Sequence, residues 1–385
     1  MTTEEIPEGW KECKLGEFID IKHGFAFKGK YITDEPTKNV LVTPGNFHIG
    51  GGFKSNKLKY FKGDYPCEYV LKENDVIVTM TDLSKEGDTL GYSAKVPRDN
   101  SKNYLHNQRI GLVRFLSNEV DKEFIYWLMR TKDYQGFIVG AASGTSVRHT
   151  SPTTIKEYQF LKPPLTEQRA IASVLSSLDD KIDLLHRENK TLEQMAETLF
   201  RQWFVEDADE GWETGILGDF VNITYGKNLS TKKLQNNGYP VFGGNGQIGF
   251  FDKYIYEKPQ VLISCRGEAS GTVNISLPKS FITNNSLILE INKRREITFE
   301  YLKYYALNTD FKMYVSGSAQ PQITITDLYI AGFTLPDKKT TDCFSDIVRT
   351  WESKIINNQR QTRTLEKLRD TLLPKLMSGE VRVKI

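Results

Sequence analysis

Two stretches decide the fold: EGWKECKLGEFIDIKHG at 8–24 and EGWETGILGDFVNITYG at 210–226. Gly9-Trp10, Leu15-Gly16, Phe18 and Gly24 recur as Gly211-Trp212, Leu217-Gly218, Phe220 and Gly226, each 202 residues on (226 − 24). A second register, offset by 173 (372 − 199), covers the end of each half. There Phe160 and Pro163 return as Phe333 and Pro336, and Lys181-Ile182 as Lys354-Ile355. Leu192-Glu193 returns as Leu365-Glu366, and Leu199 as Leu372. The fall from 202 to 173 predicts a second half shorter by 29 residues, lost in its middle. Between these registers, DVIVTM (75–80) and QVLISC (260–265) are alike in kind, each a short β-rich apolar run. A period this long is no solenoid repeat. The chain reads as a tandem duplication, domain–helix–domain–helix, with pseudo-two-fold symmetry and a target of two parts.

From Thr166 to Phe204 there is neither proline nor glycine. Leu175, Leu178, Ile182, Leu185, Asn189, Leu192, Ala196, Leu199 and Trp203 recur in steps of three and four, which is a heptad seam. Thr166 reads as the N-cap, with Glu167 favourable in the first turn. At ~1.5 Å per residue the segment makes a rod of roughly 60 Å. The second seam is Val348, Trp351, Ile355, Asn358, Thr362, Leu365, Arg369, Leu372 and Leu376. Asn189 and Thr362 hold matching places, a polar device for fixing register. Pro374 should kink or end the last turn, and Gly379 closes it. Neither seam has another partner in view, so the expectation is an antiparallel coiled coil. The predicted domains are 1–162 (β-rich), 163–207 (long helix), 208–337 (β-rich) and 338–385 (long helix and tail), an α+β chain.

Composition narrows the function. The 385 residues carry a net charge of +2, with apolar content of 39%. Segments 1–160 and 209–335 are nearly neutral and 338–385 carries +5, so a nucleic-acid site would need basic groups gathered by folding. Cys13, Cys67, Cys265 and Cys343 are far apart, without a CxxC, which argues against structural zinc or a disulfide framework. No run approaches a membrane span and the acidic start lacks a signal-peptide core, which points to the cytoplasm.

Gly244, Gly246 and Gly249 spell G-x-G-x-x-G inside YPVFGGNGQIGFFDKY (239–254). A dinucleotide fingerprint needs a helix starting in that turn. Here an aromatic, β-branched run with Pro259 follows, so the expectation is a β-turn. Asp337 with Glu352 and Lys354 fits the loose PD…ExK nuclease spacing, but the last two lie on the heptad helix, where a metal site built from a sheet cannot form. Lys162-Pro163-Pro164-Leu165 lacks the amide or carboxylate and the aromatic that an adenine methyltransferase needs to hold a flipped base. The chain reads as non-catalytic by itself.

The PPLTEQRAIASVLSSLDDKID helix (163–183), LFRQWF (199–204), YPVFGGNGQIGFFDKY and GSAQPQIT (317–324) together resemble the specificity subunits of type I restriction–modification enzymes, over the whole chain. The resemblance implies two target recognition domains, each reading one half of a split DNA sequence, with the paired helices as spacer. It implies two methyltransferase subunits and motor–nuclease subunits as partners. S-adenosylmethionine, Mg and ATP would belong to those partners, with no cofactor in this chain. Since the two domains differ, an asymmetric bipartite target is expected, with half-sites about one helical turn apart. DNA-contact candidates, chosen as donors in polar glycine turns or near strand ends, are Lys28, Arg109, Arg148, Lys227, Asn245, Arg266, Gln320 and Gln322. Partner-contact candidates, taken as exposed on the first long helix, are Gln168, Arg169 and Arg201. The alternatives are a subunit of a related enzyme with a fused nuclease–methyltransferase, a free-standing nuclease, and a coiled-coil scaffold.

Overall fold

The computed structural model describes residues 6–84, 86–144, 147–292, 295–317 and 320–384. The chain forms two compact units, Met1–Leu184 with Gln361–Ile385, and Leu185–Arg360. Each unit therefore holds one mixed β-rich domain and a piece of both long helices.

In the first unit, Lys11–Lys14 pairs antiparallel with Gln159–Lys162. A four-stranded antiparallel sheet runs in the order Ile19–His23, Ile110–Phe115, Val76–Thr79, Ser93–Lys95. A second sheet is built on the parallel pair Asn39–Val42 and Asn103–His106. The second unit repeats this plan. Glu213–Ile216 pairs with Gly332–Leu335, and a sheet runs Val221–Tyr225, Ser286–Ile291, Val261–Ser264, Val273–Ile275. Tyr239–Gly243 and Phe281–Ile282 form the matching parallel pair. The two apolar runs recognised in sequence are equivalent central strands, Val76–Thr79 and Val261–Ser264, with every residue buried.

Packing explains which residues recur. Leu15, Phe18, Leu217 and Phe220 are core. A Cβ on Gly24 would sit 2.1 Å from the Asn107 carbonyl oxygen, and one on Gly226 would sit 2.2 Å from that of Thr283. Only glycine lets the strand end pass that close to its neighbour. The missing residues are not one block. The segment after Val42 reaches its return strand, Lys59–Phe61, through a long excursion, whereas after Gly243 a two-residue turn leads straight into Gly246–Phe251. Further shortening falls between the later strands, so the loss is spread over loops, where insertions cost little.

The first long helix spans Leu165–Arg201 and closes in a π turn, Gln202–Glu206. It begins one residue before the expected Thr166 cap: the Glu167 and Gln168 amides already donate to the Pro164 carbonyl. The second, Lys338–Ser378, runs through Pro374 for another turn before Gly379, at φ +79°, ends it. Leu373, Leu376 and Met377 are buried in the first unit's core, and this apolar burial holds the turn despite the lost hydrogen bond.

Within each unit the two long helices touch, at seam residues and beside them. In the first unit Asp179 bonds Arg369 at 2.6 Å, and Ile171, Leu175, Leu373 and Leu376 share one core. In the second, Phe204 packs on Phe344 at 5.1 Å, and Asn358 Nδ2 donates to Asn189 Oδ1 at 2.9 Å. As one helix advances from 189 to 204 the other retreats from 358 to 344, so the pieces run antiparallel there. Asn189 thus finds a polar partner in Asn358. None of the helices among the described residues is long and apolar enough to cross a membrane.

Candidate nucleic-acid interface

Equivalent backbone hydrogen bonds in the two units build the same strand-end frame. In the first, the Met80 amide donates to the Arg109 carbonyl at 2.9 Å, and the Thr150 amide to the Met80 carbonyl at 3.0 Å. In the second, Cys265 donates to Asn285 at 3.0 Å and Ile323 to Cys265 at 3.1 Å. His149 bridges Ser143 and pairs with Thr81, and Gln322 likewise bridges Ser316 and Arg266. Arg109 therefore corresponds to Asn285, Thr81 to Arg266, and His149 to Gln322. A short helix follows each loop, capped by Ser151 in one unit and Thr324 in the other. Each cap's side-chain oxygen accepts from an orphan amide of that helix, which fixes the loop's exit.

The candidates fall at this end, on different terms. Arg109 lies in the turn before Ile110–Phe115, exposed, with its own amide bonded to Asn107 Oδ1 at 2.9 Å. Lys28 is exposed at the start of a 3₁₀ turn, Gly29–Tyr31, just past the Phe25–Asn107 bridge. Lys227 is exposed and bridges Thr283. Asn245 is exposed at the tip of the hairpin joining Tyr239–Gly243 to Gly246–Phe251. No helix starts there, so the G-x-G-x-x-G spacing is a β-turn, as its sequel of aromatic and β-branched residues implied. Two buried-side donors, Ser264 Oγ and Asn274 Nδ2 (the latter at 3.4 Å), hold the Gly244 carbonyl and so fix the tip. Arg266, Gln320 and Gln322 are exposed. Arg148 differs: it is half-buried in the strand pair with Asp82, and its guanidinium turns back toward the Val139 carbonyl at 3.5 Å. The flanking 145–146 and 318–319 lie outside the described residues.

Asp82 anchors the first frame. Burial by itself would raise its pKa, but hydrogen bonds from Thr89 and the Ser84 amide outweigh that and hold the carboxylate below its ordinary range. His106, at the end of the parallel pair, is buried and pushed down to about 4 by desolvation. It is therefore neutral near pH 7, with Nε2 2.8 Å from the Ile110 carbonyl. Sequence reasoning passed over Asn285. Its signal was available only through register: once Ile110–Phe115 is matched to Ser286–Ile291, Asn285 falls on Arg109.

The partner-contact candidates separate sharply. Gln168, expected on the surface, is fully buried. Its amide nitrogen donates to the Glu119 and Pro163 carbonyls, and its oxygen accepts from the Asp121 amide. It satisfies backbone groups where the domain meets the helix and has no surface to offer. Arg169 is exposed, 3.8 Å from Asp121, and Arg201 is exposed, 3.2 Å from Glu206. A different surface repeats. Arg187, Thr191, Met195 and Thr198 are exposed on the first long helix, and Arg360, Thr364, Leu368 and Thr371 at equivalent places on the second. Met195 and Leu368 are 44% and 45% exposed, so burial does not explain their likeness.

Each domain is latched to the long helix that follows it at matching positions. Arg130, buried against Trp127, pairs with Asp179 at 2.9 Å; Lys303 pairs with Glu352 at 2.6 Å. Glu123 accepts from Ser176, and Glu300 accepts two bonds from Arg349 at 2.8 and 2.9 Å. This removes the nuclease spacing as a site. Glu352 is committed to Lys303, Lys354 lies 3.6 Å from Glu188, and Asp337 caps the second long helix through Thr340.

Comparison with known proteins agrees with this geometry. The chain is 26% identical to the type I restriction enzyme MjaIX specificity subunit of Methanocaldococcus jannaschii over 69% of this chain and 70% of that protein. It is 22% identical to the MjaVIII specificity subunit of the same organism over 98% of this chain and 94% of that one. A crystal structure of the S subunit of a type I restriction–modification system from M. genitalium shares the fold, with a TM-score of 0.61, 22% identity and 98% coverage of both chains. The type I restriction modification DNA specificity domain matches twice, at 7–194 and 209–367. With two copies of that domain covering nearly its whole length, this chain belongs to the family of type I restriction–modification DNA specificity subunits.

Proposed function

We propose that each recognition domain reads one half of an asymmetric, bipartite duplex DNA target. The two long helices, pairing as an antiparallel coiled coil, set the unspecified gap. The observation that carries this is the shared frame with different side chains: Arg109 against Asn285, Thr81 against Arg266, His149 against Gln322. A common frame presents its residues to the groove alike, and arginine, asparagine and glutamine favour different base edges. Duplicated domains with different readers specify two different half-sites.

The chain does no chemistry of its own. Methyltransferase subunits supply S-adenosylmethionine and methylate adenine at N6 within the sites that this chain selects. Motor–nuclease subunits, using Mg and ATP, join for restriction in the cytoplasm. The exposed stripe that recurs on both helices favours one kind of methyltransferase subunit docking twice, one copy on Arg187, Thr191, Met195 and Thr198 and the other on their counterparts. This stripe is a better docking candidate than Arg169 or Arg201, whose equivalents are Asp342 and Pro374.

The test is the methylome of a strain carrying this chain with its methyltransferase subunit, against the same strain without this chain. The expected result is N6-methyladenine at one split motif, lost on deletion. An unchanged methylome refutes the reading.

A further inference from the structure

An unpaired arginine on a fixed backbone is uncommon in this molecule. In the unit Leu185–Arg360, Arg201 pairs with Glu206, Arg295 with Glu213 and Arg349 with Glu300, and Arg187 and Arg360 also have partners. Of the described arginines there, only Arg266 has a guanidinium with no hydrogen bond or ion pair to the protein. Its backbone is held on both sides: it bridges Gln322, the preceding Cys265 amide bonds Asn285, and the following Gly267 amide bonds Pro321 at 2.9 Å. Arg109 in the first unit has the same character. It is exposed and unpaired, its amide is held by Asn107 and its carbonyl by Met80.

A free planar fork on a fixed backbone suits either a phosphate or the O6 and N7 acceptors of guanine. The duplication separates the two. The sugar–phosphate backbone is the same in every half-site, so a phosphate contact should keep its place when a domain is duplicated. These arginines do not keep theirs. Arg266 corresponds to Thr81, which is buried and bonded to His149, and Arg109 corresponds to Asn285. Arg109 and Arg266 each stand free at a strand end where the other unit has something else, as readers of different sequences would.

We infer that Arg109 and Arg266 each read a guanine, one in each half of the target, at non-equivalent positions within the two halves. This rests on the two-domain reading above. The experiment uses the full complex with its methyltransferase subunit and measures methylation across a library of single-base variants of the wild-type motif, for Arg266→Ala, Arg266→Lys, Arg109→Ala and Arg109→Lys. Both side chains are exposed and unbonded, so the variants keep the fold. The expected result is a loss of about ten-fold or more in discrimination at one G·C pair, confined to one half of the motif for Arg266 and to the other half for Arg109. Lysine should not restore it, because an ammonium cannot make the bidentate contact. Lysine variants with full discrimination, or alanine variants that weaken all sequences equally, would make these phosphate contacts and overturn the assignment. A wild-type complex that methylates no split motif overturns the two-domain reading itself, and this assignment with it.

Discussion

The strand ends of the two recognition domains and the outer faces of the two long helices have had opposite histories within one duplicated chain. At the strand ends the backbone bonds are retained, Met80 to Arg109 and Cys265 to Asn285, while the side chains on that frame have changed. On the helices the exposed side chains themselves are retained: Arg187 and Arg360, Thr191 and Thr364, Met195 and Leu368, Thr198 and Thr371. A surface that keeps its chemistry without being buried suits the repeated docking proposed above. A surface that keeps its frame and changes its chemistry is answering to two different things. The contrast is what the proposed function requires: a docking face that meets the same partner twice, and reading faces that meet different sequences.

The largest expected effect comes from breaking the retained surface on one helix only. With one methyltransferase copy docked on each helix, as proposed, Arg187→Glu with Met195→Asp should cost the complex one copy, read as a mass step by native mass spectrometry. Loss of both copies, or of neither, would break the idea of two equivalent docking faces. Next is the latch. Asp179→Ala leaves Arg130, almost wholly buried, without its counter-ion, which should destabilise the fold by about 3–5 kcal/mol in denaturant unfolding. The matching Glu352→Ala should cost less, because Lys303 is more exposed. Equal losses would mean that the two latches do the same structural work despite their difference in burial.

The reading face sharpens the comparison further. Replacing Asn285 and Gln322 together by alanine should weaken binding of the intact target by roughly 3 kcal/mol, about a hundred-fold, in a DNA titration at fixed salt. A first-half mismatch should carry the same penalty in this variant as in the wild type. The smallest effect is a pH dependence that belongs to one copy. His106 has a folded pKa near 4, below its ordinary value, so the unfolded chain takes up its proton first as pH falls. The stability from keeping it neutral is present above about pH 6.5 and is lost as pH drops toward 4. Between pH 7 and pH 5 that is about 2 kcal/mol. The His106→Gln variant should lack this part of the slope, as should the second copy, where Ile282 holds the equivalent place. A variant with the wild-type slope would mean that another group carries it.

Several features are legible in the amino-acid sequence. The duplication, both long helices, the matched apolar strands and the β-turn at Gly244–Gly249 follow from residue spacing, because each rests on local periodicity or on a constraint such as the carbonyls packed against Gly24 and Gly226. Others were not. Gln168 looks like any polar residue in a first helical turn. Only the fold brings the Glu119 and Pro163 carbonyls and the Asp121 amide to it. The match of Asn285 to Arg109 was hidden because the halves differ in length at several loops, so no single offset aligns them. Pro374 breaks an isolated helix, yet here the turn continues because Leu376 and Met377 are buried against the domain.

The amino-acid sequence by itself determined that there are two copies of one plan and that a heptad rod follows each, since hydrophobic period and repeated glycines are properties of the chain. Tertiary structure decided which side chains stand free at the strand ends and which are consumed inside. Freedom or engagement of a guanidinium or an amide depends on groups far away in sequence, as Asp179 is for Arg130, and no local pattern carries that information.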